Sequence, residues 1–292
     1  MFSVVIPLYN KGKYIKKTID SVLAQTFPDF EIIVVNDSST DNGRGIVESY
    51  EDDRVILYNK QNEGVSEARN FGISKATHPF IAFLDADDIW LSNYLQNIYE
   101  LIIRYPEAGI YASSYFSVNN EGCKCVVSSL KDFPKYSIIK DYFKYSYYNG
   151  KSLCITSAIC VKKTILQSRD LFRKGIRRGE DIDLWLRICL TLPVAFCNEP
   201  MMLYSESTPN SLSANYTSID DEFPYLEWLN YRNESPFFKK YVVLVIYMAA
   251  KNAFLHSDYQ TCYAYLLKIL KISPSVKSCK RLFLLFCSFL KI

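Results

Sequence analysis

Residues 78–90 read HPFIAFLDADDIW, and this stretch decides the fold of the chain. Phe80 to Leu84 is a continuous apolar run, which is typical of a strand buried on both faces in a parallel α/β sheet. The run ends in three carboxylates, those of Asp85, Asp87 and Asp88, at the edge where open α/β sheets bind ligands. Because neighbouring carboxylates repel one another, we expect a divalent cation, Mg²⁺ or Mn²⁺, to hold them and to hold a phosphate in turn.

Length and composition indicate a globular protein with one large domain and a smaller appendage. The chain has 292 residues, of which 49% are hydrophobic and 22% are charged. A net charge of +3 is too small to indicate a nucleic-acid partner. Nine cysteines without a CxxC pair argue against a zinc site, and their odd number without a signal peptide predicts reduced thiols in the cytoplasm. The longest apolar runs have about half of the roughly 20 residues that a membrane span needs, so we expect none.

Strands alternate with helices through the first 90 residues. Residues 3–8 and 31–35 are β-branched runs, and helical spacing separates them between residues 14 and 26. Residues 55–58 form a shorter run, and Ser66 is typical of a helix start. This alternation predicts βαβ units and a mostly parallel sheet flanked by helices.

Polar side chains follow three of these strands. Tyr9 and Asn10 follow the first, Asp37 ends the second, and the acidic group begins at Asp85. Because the carboxyl ends of parallel strands meet at one edge, these groups could serve as a base-stacking platform, a base or ribose acceptor, and a diphosphate clamp. That convergence favours a ligand site over the alternative, in which Asp85 caps a turn and the other carboxylates form a solvated loop. Neither GxGxxG nor GxxxxGK[ST] is present, which argues against a Rossmann dehydrogenase and a P-loop NTPase.

The same segments resemble successive motifs of the family 2 glycosyltransferases. The matching segments are, in chain order, residues 4–10, 21–26, 34–41, 62–70 and 83–88, and the match resumes at 178–187. The resemblance implies the GT-A fold, an α/β domain that binds a nucleoside-diphosphate sugar and a divalent metal ion, Mn²⁺ or Mg²⁺. Many members have Asp-Asp-Gly-Ser where this chain has Asn36-Asp37-Ser38-Ser39. The second aspartate is retained, but the turn lacks the conformational freedom of glycine.

The resemblance also implies a role for each residue at this edge. In the nucleotide-sugar site, Pro7 and Tyr9 would line the nucleobase pocket, with Asn10 beside them. Asp37 would accept a hydrogen bond from the base. Arg69 would lie near the nucleotide, and Asp85 would contact the ribose side. Asp87, in the DxD pattern, would coordinate the metal. Structural alternatives stay open: Asp37 as an N-cap for the segment after Thr40, Tyr9 as ordinary packing, Arg69 in a surface ion pair, and Asp87 as a solvated loop residue.

Glu180 and Asp181 open an amphipathic helix, where acidic residues favour the helix dipole and simple capping is the alternative. By resemblance to the Glu-Asp motif of the family, Asp181 is the general base, and Glu180 orients it or shares its role. The implied reaction is a single displacement with inversion at the anomeric carbon. Between the two acidic motifs, residues 152–161 are predicted to form a strand.

The composition changes beyond residue 205. Residues 207–218 are typical of a linker, whereas 237–255 and 259–272 are predicted helices. Residues 277–292 combine lysine and arginine with leucine and phenylalanine. This segment is compatible with an interfacial helix on an anionic membrane surface, and also with helices packed on the catalytic domain or on a second subunit.

These observations together predict a GT-A glycosyltransferase domain over residues 1–215, with a nucleotide-sugar half at about 1–110 and an acceptor half at about 111–215. A helical region would cover 216–292. The expected enzyme transfers a sugar, with UDP as the commonest carrier in the family, to a glycan or lipid-linked glycan in surface polysaccharide or lipopolysaccharide synthesis. We expect the enzyme in the cytoplasm, in peripheral contact with the inner face of the membrane. The sequence is also compatible with a homo-oligomer.

Two other functions are compatible with parts of the sequence. A sugar nucleotidyltransferase shares such a sheet, but it normally carries a loop rich in glycine, arginine and lysine after its first strand, and residues 9–12 are not that loop. A degenerate, non-catalytic glycan-binding subunit would not need to retain the carboxylates of Asp37, Asp85, Asp87 and Asp181 together.

Overall fold

The computed structural model describes residues 1–118, 124–127, 130, 133–168, 171–176, 178–205 and 225–274. The chain divides into two compact units. One comprises Met1–Tyr142 with Cys154–Ala214, and the other comprises Phe143–Leu153 with Asn215–Ile292. The segment 143–153, which the sequence places in the acceptor half, is therefore grouped with the C-terminal helices.

The first unit begins with four parallel strands in the order β3-β2-β1-β4. The strands are β1 (Phe2–Leu8), β2 (Phe30–Asp37), β3 (Val55–Lys60) and β4 (Phe80–Phe83). The connecting helices are α1 (Gly12–Leu23), α2 (Gly43–Glu48) and α3 (Val65–Lys75). The predicted βαβ alternation and the parallel arrangement of these strands are confirmed.

Helices cover both faces of β1, which explains its uninterrupted apolar sequence. Val4 and Ile6 belong to the buried cluster that includes Ile15 and Ile19 of α1. Alternate residues of a strand point to opposite faces. A Cβ atom built on Gly72 of α3 would lie 2.5 Å from Cγ1 of Val5, so α3 approaches the sheet closely.

The sheet continues from β4 in mixed orientation. The strands are β5 (Ile89–Trp90), β6 (Ile110–Val118), β7 (Lys124–Val127), β8 (Tyr136–Ile139), β9 (Ile159–Lys162) and β10 (Val194–Ser205), which gives ten strands among the described residues. The accompanying helices are α4 (Tyr94–Arg104), α5 (Tyr142–Asn149), α6 (Lys163–Gln167) and α7 (Glu180–Cys189). Strand β9 runs antiparallel to both β4 and β6, whereas β10 runs parallel to β6.

The strand predicted over residues 152–161 is shorter than expected. Only Ile159–Lys162 pairs in the sheet, and Thr156–Ala158 forms a 3₁₀ turn before it. The pairing with β4 ends at Ala82 and Cys160. Beyond that point the chain after β4 leaves the ladder, and the backbone N–H of Asp85 donates to the hydroxyl of Ser157 instead.

The described part of the second unit is helical. It contains α8 (Tyr225–Trp228), α9 (Phe238–Leu255) and α10 (Tyr259–Ile272), and Phe143 packs edge-on against Phe238 at 4.9 Å between ring centroids. The predicted helices at 237–255 and 259–272 are confirmed. Among the described residues, none of the helices has both the length and the apolar character needed to cross a bilayer. The predictions for 207–218 and 277–292 concern residues outside the described ranges.

Candidate active site

The residues predicted at the sheet edge lie at neighbouring strand ends. Strand β1 lies between β2 and β4, in register with both, so that Leu8 pairs with Asn36 and Val5 with Phe83. The segments that follow these strands therefore emerge side by side. Tyr9, in the segment after β1, is exposed, with 49% of the residue accessible to solvent.

The loops after β1 and β2 are held together by side-chain hydrogen bonds. Thr40 donates from its backbone N–H and its hydroxyl to Oδ1 of Asn10, at 2.8 and 3.1 Å. The carboxylate of Asp41 accepts from the N–H groups of Gly12 and Gly43 at 2.7 and 2.9 Å. A Cβ atom on Gly12 would lie 2.9 Å from the nitrogen of Gly43, so glycine is required for this approach. Both loops are thus fixed relative to each other.

Asp37 is buried and holds the loop that precedes α3. Its Oδ1 atom accepts from the N–H of Glu63 and pairs with Nζ of Lys60 at 2.9 Å, and its Oδ2 atom accepts from the N–H of Gly64. The N-cap alternative for Asp37 is wrong, because Asn42 occupies the N-cap position of α2. A carboxylate offers about four lone-pair sites, and the three contacts do not use all of them, so acceptance from a nucleobase stays a prediction.

Basic side chains bind two of the three neighbouring carboxylates. Nζ of Lys11 lies 2.7 Å from Oδ2 of Asp87, and both side chains are more than four-fifths buried. Nη2 of Arg69 lies 2.7 Å from Oδ1 of Asp85. Among the described residues, the cationic partners of Asp87 and Asp85 are thus a lysine and an arginine, and the expected divalent cation stays a prediction. Asp87 is not a solvated loop residue.

Asp88, the third of the neighbouring carboxylates, is almost completely buried. Its Oδ1 atom accepts from the N–H of Ser205 at 3.1 Å, and its Oδ2 atom has no hydrogen-bond partner among the described residues. Burial raises the pKa of Asp88 well above its ordinary value, and the negative charges of Asp85 and Asp87 raise it further.

The oxygen donors at this edge fit a metal ion that is shared with a ligand. Within the described ranges, no three histidine, cysteine, aspartate or glutamate side chains are arranged to hold a metal. Mg²⁺ is commonly held by only one or two carboxylates together with substrate phosphates. Asp87 supplies the required type of donor, so its chemistry is compatible with a cation that a diphosphate also binds.

Arg69 lies at the centre of the site and is 4% exposed. Its Nη1 atom lies 2.6 Å from Oε1 of Glu180, opposite the contact with Asp85, and the guanidinium group lies 5.2 Å from the ring centroid of Phe172. Burial would lower the pKa of Arg69, but the charges of Asp85, Glu180 and Asp181 outweigh burial and raise it. Arg69 therefore forms a buried double ion pair, and the surface ion pair that we kept as an alternative is wrong.

The two acidic residues at the start of α7 have different environments. Asp181 is half-buried; its Oδ2 atom accepts from the hydroxyl of Thr156 at 2.9 Å and its Oδ1 atom from the N–H of Ile182. Glu180 is 6% exposed. Burial, with the charge of Asp181, raises the pKa of Glu180 to about 7, although Arg69 opposes the shift. The more accessible carboxylate, that of Asp181, is the better placed of the two to accept a proton from a substrate.

Sequence reasoning did not identify Lys11, Thr156 or Ser157 as site residues. Ser157 accepts from the N–H of Asp85, 72 residues earlier in the chain, and Thr156 contacts Asp181, 25 residues later. The 3₁₀ turn Thr156–Ala158 therefore positions carboxylates from both acidic motifs. No local sequence pattern predicts such contacts, because serine and threonine are common in short apolar segments.

Comparison with known proteins gives consistent matches over most of the chain. The model of the family described as glycosyl transferase family 2 matches residues 3–175, a range that ends before Glu180 and Asp181. The putative teichuronic acid biosynthesis glycosyltransferase TuaG of Bacillus subtilis is 40% identical over 218 residues, which are 74% of this chain and 82% of that protein. An uncharacterised glycosyltransferase of Rickettsia bellii is 35% identical over 191 residues, 64% of this chain but only 26% of the relative.

Solved structures match the fold. The crystal structure of residues 1–349 of S. aureus TarS in complex with UDP-GlcNAc aligns with a TM-score of 0.73 at 21% identity, covering 93% of this chain and 81% of that one. TarS has also been solved in complex with UDP. At this level of identity the likeness concerns the fold, and it confirms the predicted α/β architecture with C-terminal helices.

Proposed function

The chain belongs to glycosyl transferase family 2, and we propose that it is a metal-dependent, inverting enzyme that builds a bacterial surface glycan. It would move a sugar from a nucleoside diphosphate, expected to be UDP, to a hydroxyl of a glycan or lipid-linked glycan. The observation that carries this proposal is the arrangement of Asp37, Asp85 and Asp87 at one sheet edge, joined through Arg69 to the acidic start of α7.

The related proteins support the choice of donor and pathway class. TarS is described in complex with UDP and with UDP-GlcNAc, and TuaG carries a name that places it in teichuronic acid biosynthesis. The description of TarS favours a UDP-sugar as donor, and the name of TuaG favours a surface polysaccharide as product. Lipopolysaccharide remains the alternative product within the same class.

The donor would bind across the ends of β1, β2 and β4. The exposed ring of Tyr9, beside Pro7, offers a face for stacking with the nucleobase, and Asp37 offers a fixed acceptor for a base N–H. Asn10 keeps the Tyr9 loop in place through Thr40. Asp85 would accept from the ribose on the side where its carboxylate is not bound to Arg69.

Asp87 would hold the divalent cation together with the donor diphosphate. When bound, such a cation neutralises the negative charge that develops on the departing diphosphate. Lys11, which pairs with Asp87, would contribute a second positive charge beside the same diphosphate.

The transfer would proceed in one displacement. The acceptor hydroxyl oxygen attacks the anomeric carbon from the face opposite the diphosphate, and a new carbon–oxygen bond forms. The bond between that carbon and the diphosphate oxygen breaks, and its electron pair leaves with the nucleoside diphosphate. The hydroxyl proton passes to the carboxylate of Asp181, which Thr156 holds in place. Attack from the opposite face inverts the configuration of the sugar.

The two other functions lack a specific observation in their favour. The nucleotidyltransferase loop is missing after β1, and the family match describes glycosyl transfer. A non-catalytic glycan-binding subunit would not need the buried contacts that hold Asp85, Glu180 and Asp181 in place. We also propose that the enzyme works at the inner face of the membrane, with the C-terminal unit making peripheral contact with the bilayer.

The test is isothermal titration of the purified protein with UDP, GDP, ADP and CDP, each with and without Mn²⁺. We expect UDP to bind in a Mn²⁺-dependent manner and Asp87→Ala to abolish that dependence. Asp53→Asn, at an exposed carboxylate outside the site, is the matched control and should bind like the wild type. Failure of every nucleotide to bind would refute the proposed donor site.

A further inference from the structure

We propose that Arg69 is a positioning residue that couples the donor side of the site to the helix carrying the proposed base. This inference rests on the proposed function and assigns a different role to Arg69, which the family resemblance places near the nucleotide. In the proposed role, Arg69 fixes the start of α7 relative to Asp85 and so sets the place of Asp181.

Arg69 contacts both parts of the site directly. Its two terminal nitrogens contact different carboxylates. Nη2 lies 2.7 Å from Oδ1 of Asp85, and Nη1 lies 2.6 Å from Oε1 of Glu180. Glu180 lies 111 residues away in the sequence and immediately precedes Asp181. A shift of the guanidinium group would therefore move the first turn of α7, and Asp181 with it.

The chemistry of this position requires arginine. The planar guanidinium group presents donors in two directions, whereas the ammonium group of lysine is a single point charge. Two carboxylates facing the same buried volume would repel each other without a cation between them. Nη1 and Nη2 each donate to a protein carboxylate, whereas Nε is buried without a hydrogen-bond partner among the described residues.

Neighbouring contacts support the same coupling independently of Arg69. Asn70, the next residue of α3, donates to the carbonyl of Phe172 at 2.7 Å and accepts from its N–H at 3.0 Å. The ring of Phe172 in turn lies against the guanidinium group. Phe172, which precedes α7 in the chain, is thus tied to α3 by two hydrogen bonds between its backbone and the side chain of Asn70, in addition to the contact of its ring with Arg69.

The 3₁₀ turn Thr156–Ala158 makes the same connection from the other side. Ser157 accepts from the N–H of Asp85, and Thr156 donates to Asp181. Asp85 and Asp181 are therefore linked through two separate paths, one by way of Arg69 and Glu180 and one by way of the turn. Two independent paths restrict the position of Asp181 more than one path would, and a catalytic group must be held accurately relative to the substrate.

The experiment compares Arg69→Met, Arg69→Lys, Glu180→Gln and the double variant Arg69→Met/Glu180→Gln. For each, kcat with a UDP-sugar donor, the Kd for UDP with Mn²⁺ and the Tm are measured. We expect Arg69→Met to lower kcat by about 100-fold, because the base is displaced. The Kd for UDP should stay within about threefold of the wild-type value, since the lost contact is not made to the donor.

The double variant provides the decisive comparison. If Arg69 acts through Glu180, the double variant should lose no more kcat than Arg69→Met alone. Its Tm should exceed that of Arg69→Met, because the buried carboxylate of Glu180 is no longer there to be left without its arginine. Arg69→Lys should recover only part of kcat. The matched control is the exposed pair Arg44–Glu48, for which Arg44→Met and Glu48→Gln should leave all three quantities unchanged.

Other results would overturn the inference. If Arg69→Met raises the Kd for UDP strongly and leaves kcat unchanged, Arg69 binds the donor instead. If the kcat losses of the two single variants multiply in the double variant, or their Tm shifts add, Arg69 does not act through Glu180. These outcomes differ from failure of the proposed function, in which the wild-type protein itself binds no UDP. In that case the Tm comparison alone still tests the coupling.

Discussion

At the scale of single residues, the proposed chemistry depends on the contrast between Asp181 and Glu180. The two carboxylates are adjacent in sequence, yet one is half-buried and bound to the hydroxyl of Thr156, whereas the other is enclosed and paired with Arg69. A carboxylate already committed to a buried arginine is a poor acceptor for a substrate proton. The structure therefore favours the division of roles that the sequence proposed, with Asp181 as base and Glu180 as its support.

Replacing Asp181 by asparagine should remove the proton acceptor without disturbing the donor edge. Asparagine keeps an oxygen that can accept from Thr156, so the fold should be retained. We expect kcat to fall by about 10² to 10⁴-fold in Asp181→Asn, the usual contribution of a general base. Mn²⁺-dependent binding of UDP, measured by titration calorimetry, should be unchanged. Turnover equal to that of wild type, or of the Asp53→Asn control, would contradict the assignment.

The raised pKa of Glu180 makes stability depend on pH. In the folded protein this pKa is about 7, and in the unfolded chain it is about 4.3. Between these values the folded state binds a proton that the unfolded state has lost, so the free energy of unfolding falls as pH rises, by up to about 1.4 kcal/mol per pH unit. Below the lower pKa and above the higher one, the contribution does not change with pH.

The variant Glu180→Gln should lose this component. Chemical unfolding of wild type and variant at pH 5, 6, 7 and 8 gives the difference in the free energy of unfolding at each pH. We expect wild type to lose stability relative to the variant between pH 5 and 7 and the difference to level off above pH 7. Parallel curves for the two proteins across this range would show that Glu180 does not titrate there.

At the scale of secondary-structure elements, the close approach of α3 to the sheet is what brings Arg69 to Asp85. Gly72 lies on the same helix and permits this approach, since a Cβ atom there would lie 2.5 Å from Cγ1 of Val5 and 3.4 Å from Cγ2 of Val35. Both neighbours are completely buried in the centre of the sheet. The position of α3, and with it the buried ion pairs of Arg69, thus depends on glycine at position 72.

Gly72→Ala should therefore destabilise the protein despite the higher helix propensity of alanine. We expect a loss of about 1–3 kcal/mol in the free energy of unfolding, typical of overpacking, measured by urea denaturation. Gly45→Ala in α2 is the matched control, because its Cβ would meet only the flexible side chain of Asn42. That variant should be as stable as wild type or slightly more stable. Equal effects of the two substitutions would be inconsistent with close packing at Gly72.

At the scale of the whole molecule, basic charge is concentrated in the second unit. Its described residues, 143–153 and 225–274, include eight lysines and arginines and three acidic residues, whereas the entire chain has a net charge of +3. On α9, the exposed residues Lys251, Met248 and Leu255 share one face; on α10, Tyr263 and Leu267 are exposed. Basic residues beside exposed apolar ones are what an anionic bilayer surface attracts.

Binding to vesicles tests this surface in the full chain. We expect co-sedimentation with vesicles that contain phosphatidylglycerol and little with phosphatidylcholine alone, because each lysine near an anionic surface contributes about 1 kcal/mol. Leu255→Ser with Leu267→Ser, and separately Lys251→Glu, should weaken binding. Ile103→Ser, at an exposed apolar position of the first unit, should not. A dimer in light scattering that the double serine variant dissociates, with no vesicle binding by wild type, would assign the surface to a second copy instead.

The sequence by itself determined the alternation of strands and helices and the shared edge of Tyr9, Asp37 and Asp85. A strand that is buried on both faces has an uninterrupted apolar sequence, which can be recognised locally. Parallel pairing then places the carboxyl ends of all these strands at one edge of the sheet. It also predicted the C-terminal helices within one residue of their observed limits. It was least accurate at residues 152–161, because the end of a ladder depends on where the partner strand leaves the sheet.

Only the tertiary structure decided which groups hold the carboxylates. Lys11 and Asp87 are 76 residues apart, and Arg69 and Glu180 are 111 residues apart. A charged residue in sequence has many possible partners, and the choice among them depends on how helices pack on the sheet. Burial of Glu180, which raises its pKa, is likewise a property of the assembled site. Local sequence specifies elements, whereas electrostatic partners and desolvation arise only when distant elements meet.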